Sequence, residues 1–372
     1  MKSSIAGARL GLRRMPALLL VAALLFAAAA CSGSTSSSSS SAAGGGGGSC
    51  ATAHKRLKLA FVYASTTQNP FQEMALGAKE AADEDGNVSL TESAPNGING
   101  PQEVALFEAA ARNSTDGVAY MTTTPDLFVR PLNSAVDAGV PVIAVDAVPP
   151  KGAKVTTAVA NSNEKLGELL GDAFVKANPD PNGEVVLGND IPSLPLLVQR
   201  MNGVIKVIKE KLPNVKISGP YDSKSEPTEN YNAWKALVQA HPDAEAFIGV
   251  GGQDGVSLPL IEKQTGRKFF IGSADLPPEA IQAVKDGRIF ALSSPEHWMK
   301  GYIALHLLIE AKRTCTAIPQ GWWDSGNLLV DKSNIDDIIA RQQTPQSRAA
   351  WFKKVIAEQL AAKPLRPLAE AD

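Results

Sequence analysis

Ser65, Thr66, Gln68, Asn69, Phe71 and Gln72 fall within one short stretch, ASTTQNPFQ. Hydroxyls and amides supply donors and acceptors, and one aromatic ring supplies an apolar face, with no formal charge among them. That combination suits a neutral polyhydroxylated ligand. Other chemistries find less support. His54, His241, His297 and His306 are scattered, and none pairs with Cys or a carboxylate at metal-ligand spacing. No zinc or iron site and no cofactor is therefore expected. Gly249, Gly251, Gly252 and Gly255 resemble a phosphate loop, but Asp254 breaks G-x-G-x-x-G and would repel phosphate. Asp83, Asp85 and Gly86 lack the further ligands of a calcium loop. There is no G-x-S-x-G elbow, and Asp146 with His297 could act as acid and base only beside a nucleophile that nothing supplies. An enzyme is not expected.

The elements that position the first stretch can be read from its flanks. Residues 57–63 form an apolar, β-rich run, and an amphipathic helix starts near Pro70 with Phe71, Met74, Ala75, Ala78 and Ala82 on one stripe. Pro in the first helical turn, with Asn just before it, is a start signal. Strand, loop and helix make the first half of a parallel βαβ unit. In open α/β sheets, ligands bind where strand C-termini meet helix N-termini. The alternation continues with strands at 88–94, 117–121 and 140–145 and helices at 102–112 and 126–138. Pro149, Pro150, Lys151 and Gly152 then break it and read as a hinge crossing. A second series follows, with strands expected at 155–160, 184–187, 215–218, 246–250, 268–271 and 289–292. The expected fold is α/β, with two doubly wound parallel-sheet lobes joined by a hinge. Trp322 and Trp323, then 327–330, suggest one more extended pass, and residues 332–372 read as a C-terminal helical extension. Its stripe of Trp351, Phe352, Val355, Ile356 and Leu360 is expected to pack on the body.

The N-terminus reads as an export signal. Lys2, Arg9, Arg13 and Arg14 precede an apolar core ending in small residues, and no acid occurs in residues 1–30. Removing that segment takes the net charge from −2 to about −6. A mildly acidic protein lacks the basic face nucleic acid requires. Ala28, Ala29 and Ala30 directly before Cys31 resemble a bacterial lipobox, which implies cleavage before Cys31, acylation there, and anchoring to the extracytoplasmic face of a membrane. Residues 31–54 then read as a Ser/Gly-rich tether. Two cysteines remain, Cys50 and Cys315. In an exported protein an even remainder invites a disulfide, with two separate thiols as the alternative.

With these residues placed, the chain resembles the type I periplasmic sugar-binding family, the ribose and galactose binders of ABC importers. The resemblance rests on ordered pieces: Gln68-Asn69-Pro70-Phe71, Asp116-Gly117, the run from Ala138 into Asp146, Asn163 with Gly167, Arg200 with Gly203, Gln253-Asp254-Gly255, and Gly272 to Asp275. It implies a first lobe of 55–147 and 294–323 and a second of 148–293 and 324–331. It also implies a ligand set of Asn69, Phe71, Gln72, Asp146, Asn163, Arg200, Gln253, Asp275 and Glu296. Asn69 would bond sugar hydroxyls, Phe71 would lie on the ring's apolar face, and Asp146 and Arg200 would make charge-assisted bonds. The chain departs from the family pattern at several points. Gln72 stands where ribose binders carry a second Phe, and Ser162-Asn163 replaces an Asp-Asn pair. Leu194-Pro195-Leu196-Leu197 is apolar where galactose binders place polar ligands, and Ser294-Pro295-Glu296 replaces a hinge Gln. A pentose, a polyol or a less polar small molecule all stay open. The implied function is capture of a sugar or polyol between closing lobes and delivery to ABC permease subunits. A receptor feeding a membrane signalling partner is the alternative. Because the family's last helix returns to the first lobe with its end away from the cleft, the resemblance also implies a Cys50–Cys315 bridge.

Overall fold

The computed structural model describes residue 50 and residues 54–178 and 183–371. The expected export signal, the Cys31 acylation site and most of the tether lie outside the described residues. From the first apolar run the chain forms β1 (Leu57–Val62), α1 (Asn69–Asp85), β2 (Val88–Ser93), α2 (Gly100–Asn113), β3 (Gly117–Tyr120), α3 (Val129–Asp137), β4 (Val142–Val145) and β5 (Thr157–Ala160). It continues with α4 (Asn163–Ala177), β6 (Glu184–Asn189), α5 (Pro195–Lys211), β7 (Lys216–Asp222), α6 (Pro227–Ala240), β8 (Ala244–Gly249) and α7 (Asp254–Thr265). Then come β9 (Phe270–Ala274), α8 (Pro278–Lys285), β10 (Ala291–Ser294), α9 (His297–Thr314), β11 (Gly321–Asp324) and β12 (Leu328–Asp331). The last elements are α10 (Ile335–Gln342), α11 (Pro345–Ala362) and β13 (Leu365–Arg366).

Among the described residues these strands make two sheets, in the orders β13-β11-β5-β4-β3-β1-β2 and β12-β10-β9-β8-β6-β7. All pairings are parallel except β11 with β13 and β10 with β12. Parallel strands covered by helices are buried on both faces, and β3, β4 and β5 are buried at every position. These are the two doubly wound lobes expected from the alternation.

Three details depart from the reading of the sequence. β5 was assigned to the second lobe but lies in the first sheet, with Ala144 opposite Ala158 and Val145 opposite Val159. The Pro149-Pro150 turn therefore does not cross between lobes. It runs over the first lobe, where Asn133 donates to Gly152 O (3.0 Å) and accepts from Lys154 N (2.7 Å). The crossing falls after Ala160. Next, the single extended pass proposed near Trp322 is two strands in different sheets, β11 in the first and β12 in the second. Finally, the C-terminal extension is not purely helical. Phe352 and Ile356 of α11 enter the core of the first lobe, and β13 adds an antiparallel edge beside β11. Trp351 departs from the expected apolar stripe and stays exposed, with the Arg341 guanidinium 5.8 Å from its ring centre.

The same helix contact recurs in each lobe. A Cβ on Gly77 of α1 would stand 1.8 Å from the Trp298 carbonyl oxygen, and one on Gly301 of α9 would stand 1.9 Å from that of Met74. In the second lobe, a Cβ on Gly167 of α4 would meet the Arg200 oxygen at 1.8 Å, and one on Gly203 of α5 the Glu164 oxygen at 2.1 Å. Only glycine permits backbones this close. Cys50 and Cys315 are joined as a disulfide with Cα atoms 5.1 Å apart, at the end of α9. Arg313 reinforces that corner, donating to Lys55 O (2.7 Å) and to Asp85.

Candidate functional site

A cavity of about 420 Å3 lies between the lobes, within the range of small-molecule sites. Strand C-termini and the helix starts that follow them build its wall. The loop after β1 and the first turn of α1 bring Gln68, Asn69, Phe71 and Gln72. The end of β4 brings Asp146, and the end of β6 with the start of α5 brings Asp190, Leu194, Leu196, Leu197 and Arg200. The loops after β8 and β9 bring Gln253 and Asp275, and the start of α9 brings His297.

On the first lobe, Phe71 is almost fully buried in the core yet contributes to the cavity wall. The N-cap of α1 is Gln68, so Asn69 is not spent on capping. Its buried Oδ1 has no hydrogen-bond partner within the protein. Gln72 donates to Thr66 O at 2.8 Å and stiffens the loop. Across the rim, Gln68 Nε2 reaches Glu226 Oε1 of the second lobe at 3.3 Å.

Asp146 is 4% exposed. Burial opposes its charge, but the Lys300 ammonium, with smaller help from His297 and Arg200, outweighs burial and holds the carboxyl down at about 2. Lys300 is fully buried and donates to both Asp146 and Asn161. Burial pulls its own pKa below the usual lysine value, against the pull of Asp146.

On the second lobe, Arg200 is fixed on every side. Nε and Nη2 donate to Asn163 Oδ1 (3.3 and 2.9 Å), Nη1 donates to Val250 O (2.8 Å), and Nη1 lies 3.8 Å from Asp275 Oδ1. Asp275 is also bonded to His297 Nε2 at 2.9 Å, while His297 Nδ1 lies 3.7 Å from Asp146 Oδ1. One imidazole thus stands between the carboxylates of the two lobes. Behind them, Asp254 accepts from Ser223, Asn230, Trp234 and the Gly251 amide, which fixes the loop carrying Gln253.

The structure gathers seven of the nine residues expected to hold ligand: Asn69, Phe71, Gln72, Asp146, Arg200, Gln253 and Asp275. Two stand elsewhere. Asn163 is buried behind Arg200 and serves it as an acceptor. Glu296 faces away from the cleft, where its Oε1 accepts from Ser294 and its Oε2 from Arg341 Nη1, each at 2.8 Å. The C-terminal helices occupy the side to which it points. Sequence reasoning passed over Asp190 and dismissed His297. Asp190 is buried with an unpartnered Oδ1, and burial followed by the Asp254 and Asp275 carboxylates pushes its pKa well above the usual range. The rule that ligands bind where strand ends meet helix starts points to both, since Asp190 follows β6 and His297 opens the helix after β10.

The family described as periplasmic binding protein domain matches residues 59–313. The xylose/arabinose-binding protein XylF of Sulfolobus acidocaldarius is 23% identical over 316 residues, spanning 80% of this chain and 77% of that protein. Among solved structures, the glucose-galactose binding protein GanP of Geobacillus stearothermophilus aligns with a TM-score of 0.68 at 21% identity, covering 75% of this chain and 99% of that one. An ABC transporter solute-binding protein of Agrobacterium vitis with bound D-fucose aligns with a TM-score of 0.69 at 21% identity, covering 75% and 96%. At such identities the structures speak for the fold, whereas the family match spans most of the chain. The chain belongs to the periplasmic binding protein domain family, a family of binding proteins rather than enzymes.

Proposed function

We propose that this protein is an exported, lipid-anchored receptor that captures a sugar or polyol between its lobes and delivers it to an ABC importer. The observation that carries the reading is the facing pair Asp146 and Asp275, one from each lobe, with Arg200 and His297 between them. Carboxylates accept strongly from hydroxyls, and a guanidinium locked in position donates without further ordering cost. Phe71 in the cavity wall and the free acceptor of Asn69 complement a ring with one apolar face. Relatives named for xylose, arabinose, glucose and galactose support the same ligand class. Closure of the lobes on ligand would exclude water and present one conformation to the permease. Acylation at Cys31 would hold the receptor at the membrane.

The test is a thermal-shift screen of the full-length protein against pentoses, hexoses, polyols, amino acids and nucleosides. Ligand binding to the native state raises the melting temperature by mass action. The expected result is a shift with a sugar or polyol that is smaller in Asp146→Asn at the same ligand concentration. A shift only with amino acids or nucleosides would keep the fold and overturn the ligand class.

A further inference from the structure

A second cavity of about 240 Å3 adjoins the cleft, and the two share Asp146, Leu194 and Leu196 as common wall. Its sides have a different chemistry from the main cleft. The turn after β4 contributes Val148, Pro149 and Pro150, and the start of α5 contributes Leu194, Pro195 and Leu196. Gln199 adds a buried amide oxygen with no hydrogen-bond partner. Asp126 and Lys151 also line it but are exposed, and a second sugar ring would bring several hydroxyls against the prolines and leucines, where unpaired buried hydroxyls are costly. An apolar ring loses nothing there. The space is also adequate, since a dry cavity of roughly 150 Å3 accepts benzene. The apolar run Leu194-Pro195-Leu196-Leu197 thereby acquires a use that a monosaccharide alone does not give it.

We propose that the cleft takes a small glycoside, with its sugar against Asp146 and Asp275 and an apolar aglycone in the annex walled by Val148, Pro149, Pro150 and Leu196. This inference rests on the sugar-binding reading above and narrows its ligand class. The glycosidic bond spans the junction of the two cavities beside Asp146, whose carboxylate accepts from a ring hydroxyl, because the glycosidic oxygen has no proton to donate. Burying a phenyl-sized group there strengthens binding about tenfold to hundredfold over the free sugar.

The experiment is calorimetric titration of the full-length protein with D-xylose, L-arabinose, D-glucose and D-galactose, each beside both anomers of its methyl and phenyl glycosides. The expected result is that one phenyl glycoside binds at least about tenfold tighter than its free sugar. Val148→Asn should erase that gain, and Val148→Trp should exclude the phenyl group, while both variants keep free-sugar affinity. Free sugar binding as tightly as its phenyl glycoside, or binding alone, overturns the annex and leaves the receptor reading standing. Failure of all these sugars and glycosides to bind overturns the annex proposal, and the receptor reading is then decided by the thermal screen.

Discussion

Asp146 and Asp275 occupy equivalent places in the two lobes: each follows the last residue of a strand, each has positive φ (68° and 61°), and each donates its amide to the neighbouring strand (Val159 O at 2.8 Å, Ser293 O at 2.9 Å). Left-handed backbone at a non-glycine residue is uncommon and concentrates at functional sites. Asn tolerates that conformation about as well as Asp. Both substitutions, Asp146→Asn and Asp275→Asn, therefore keep the backbone shape and change the charge. Asp275→Asn should fold normally, whereas Asp146→Asn leaves the buried Lys300 ammonium without its anion and should lose stability, so binding is measured where each variant is folded. Each is expected to weaken binding of the proposed sugar ligand by about 10- to 100-fold, the worth of one or two charge-assisted bonds. Calorimetric titration with whichever sugar the thermal screen identifies would check this. Unchanged affinity in both variants would remove them from the site.

Lys300 has no exposed surface and neutralises Asp146 from behind. Lys300→Met should cost about 3–5 kcal/mol of folding stability, because it leaves a buried carboxylate without its cation. Denaturant titration would measure it. The double variant Lys300→Met with Asp146→Asn should recover part of the loss, which a purely steric defect would not.

Glu103 of α2 is fully buried beneath the end of β3 and accepts one bond, from Thr122 Oγ1 at 3.1 Å. Burial raises its pKa from 4.5 to about 8, the Thr122 bond offsetting only part of the shift. The native state thus holds a proton that the unfolded chain releases near 4.5. Its contribution is complete below that pH, declines as pH rises, and is lost above about 8. Glu103→Gln should match or trail the wild type at pH near 5 and gain on it steadily toward pH near 9. Urea unfolding of both proteins across that range would reveal the converging and crossing stabilities, and parallel curves would rule the residue out.

At the two helix contacts, Gly77→Ala and Gly203→Ala would press a methyl group onto a facing backbone oxygen at 1.8 and 2.1 Å. Neither oxygen can yield without moving its helix, so each change should cost about 3 kcal/mol or more. Gly266→Ala is a useful comparison. Its φ is +71° with nothing within 4 Å, and only backbone strain of about 1 kcal/mol is expected. Melting temperatures of the three variants would rank them.

Much of this architecture was readable from periodicity, because buried parallel strands such as VPVIAV and AFIGV announce themselves as short apolar runs. The family resemblance then pointed to Asp146, Arg200, Gln253 and Asp275. What periodicity lacks is sheet membership. Nothing in residues 149–157 distinguishes a turn within one lobe from a crossing to the other, so β5 was misassigned. A two-residue strand such as β13 carries no period at all. The resemblance implies Glu296 in the cleft, in the segment that replaces the family's hinge Gln, but the residue has a positive φ of 55° and its carboxylate pairs with Arg341. The Cys50–Cys315 pairing followed from family topology and is present in the structure.

The chain enters the second lobe after β5 and leaves it for the last time after α10, whose Ile335 and Ile338 join that lobe's core. Both ends of the described chain therefore ride on the first lobe, β1 and β13 lying in one sheet and Cys50 being bolted to α9. In the closure proposed above, the first lobe would be the stator and the second the rotor. A pull transmitted through Cys50 loads the stator and leaves the cleft geometry untouched. Dyes at His54 and Ala371 would hold their separation while the lobes close, whereas a dye at either place paired with one at exposed Lys263 on α7 would report the swing.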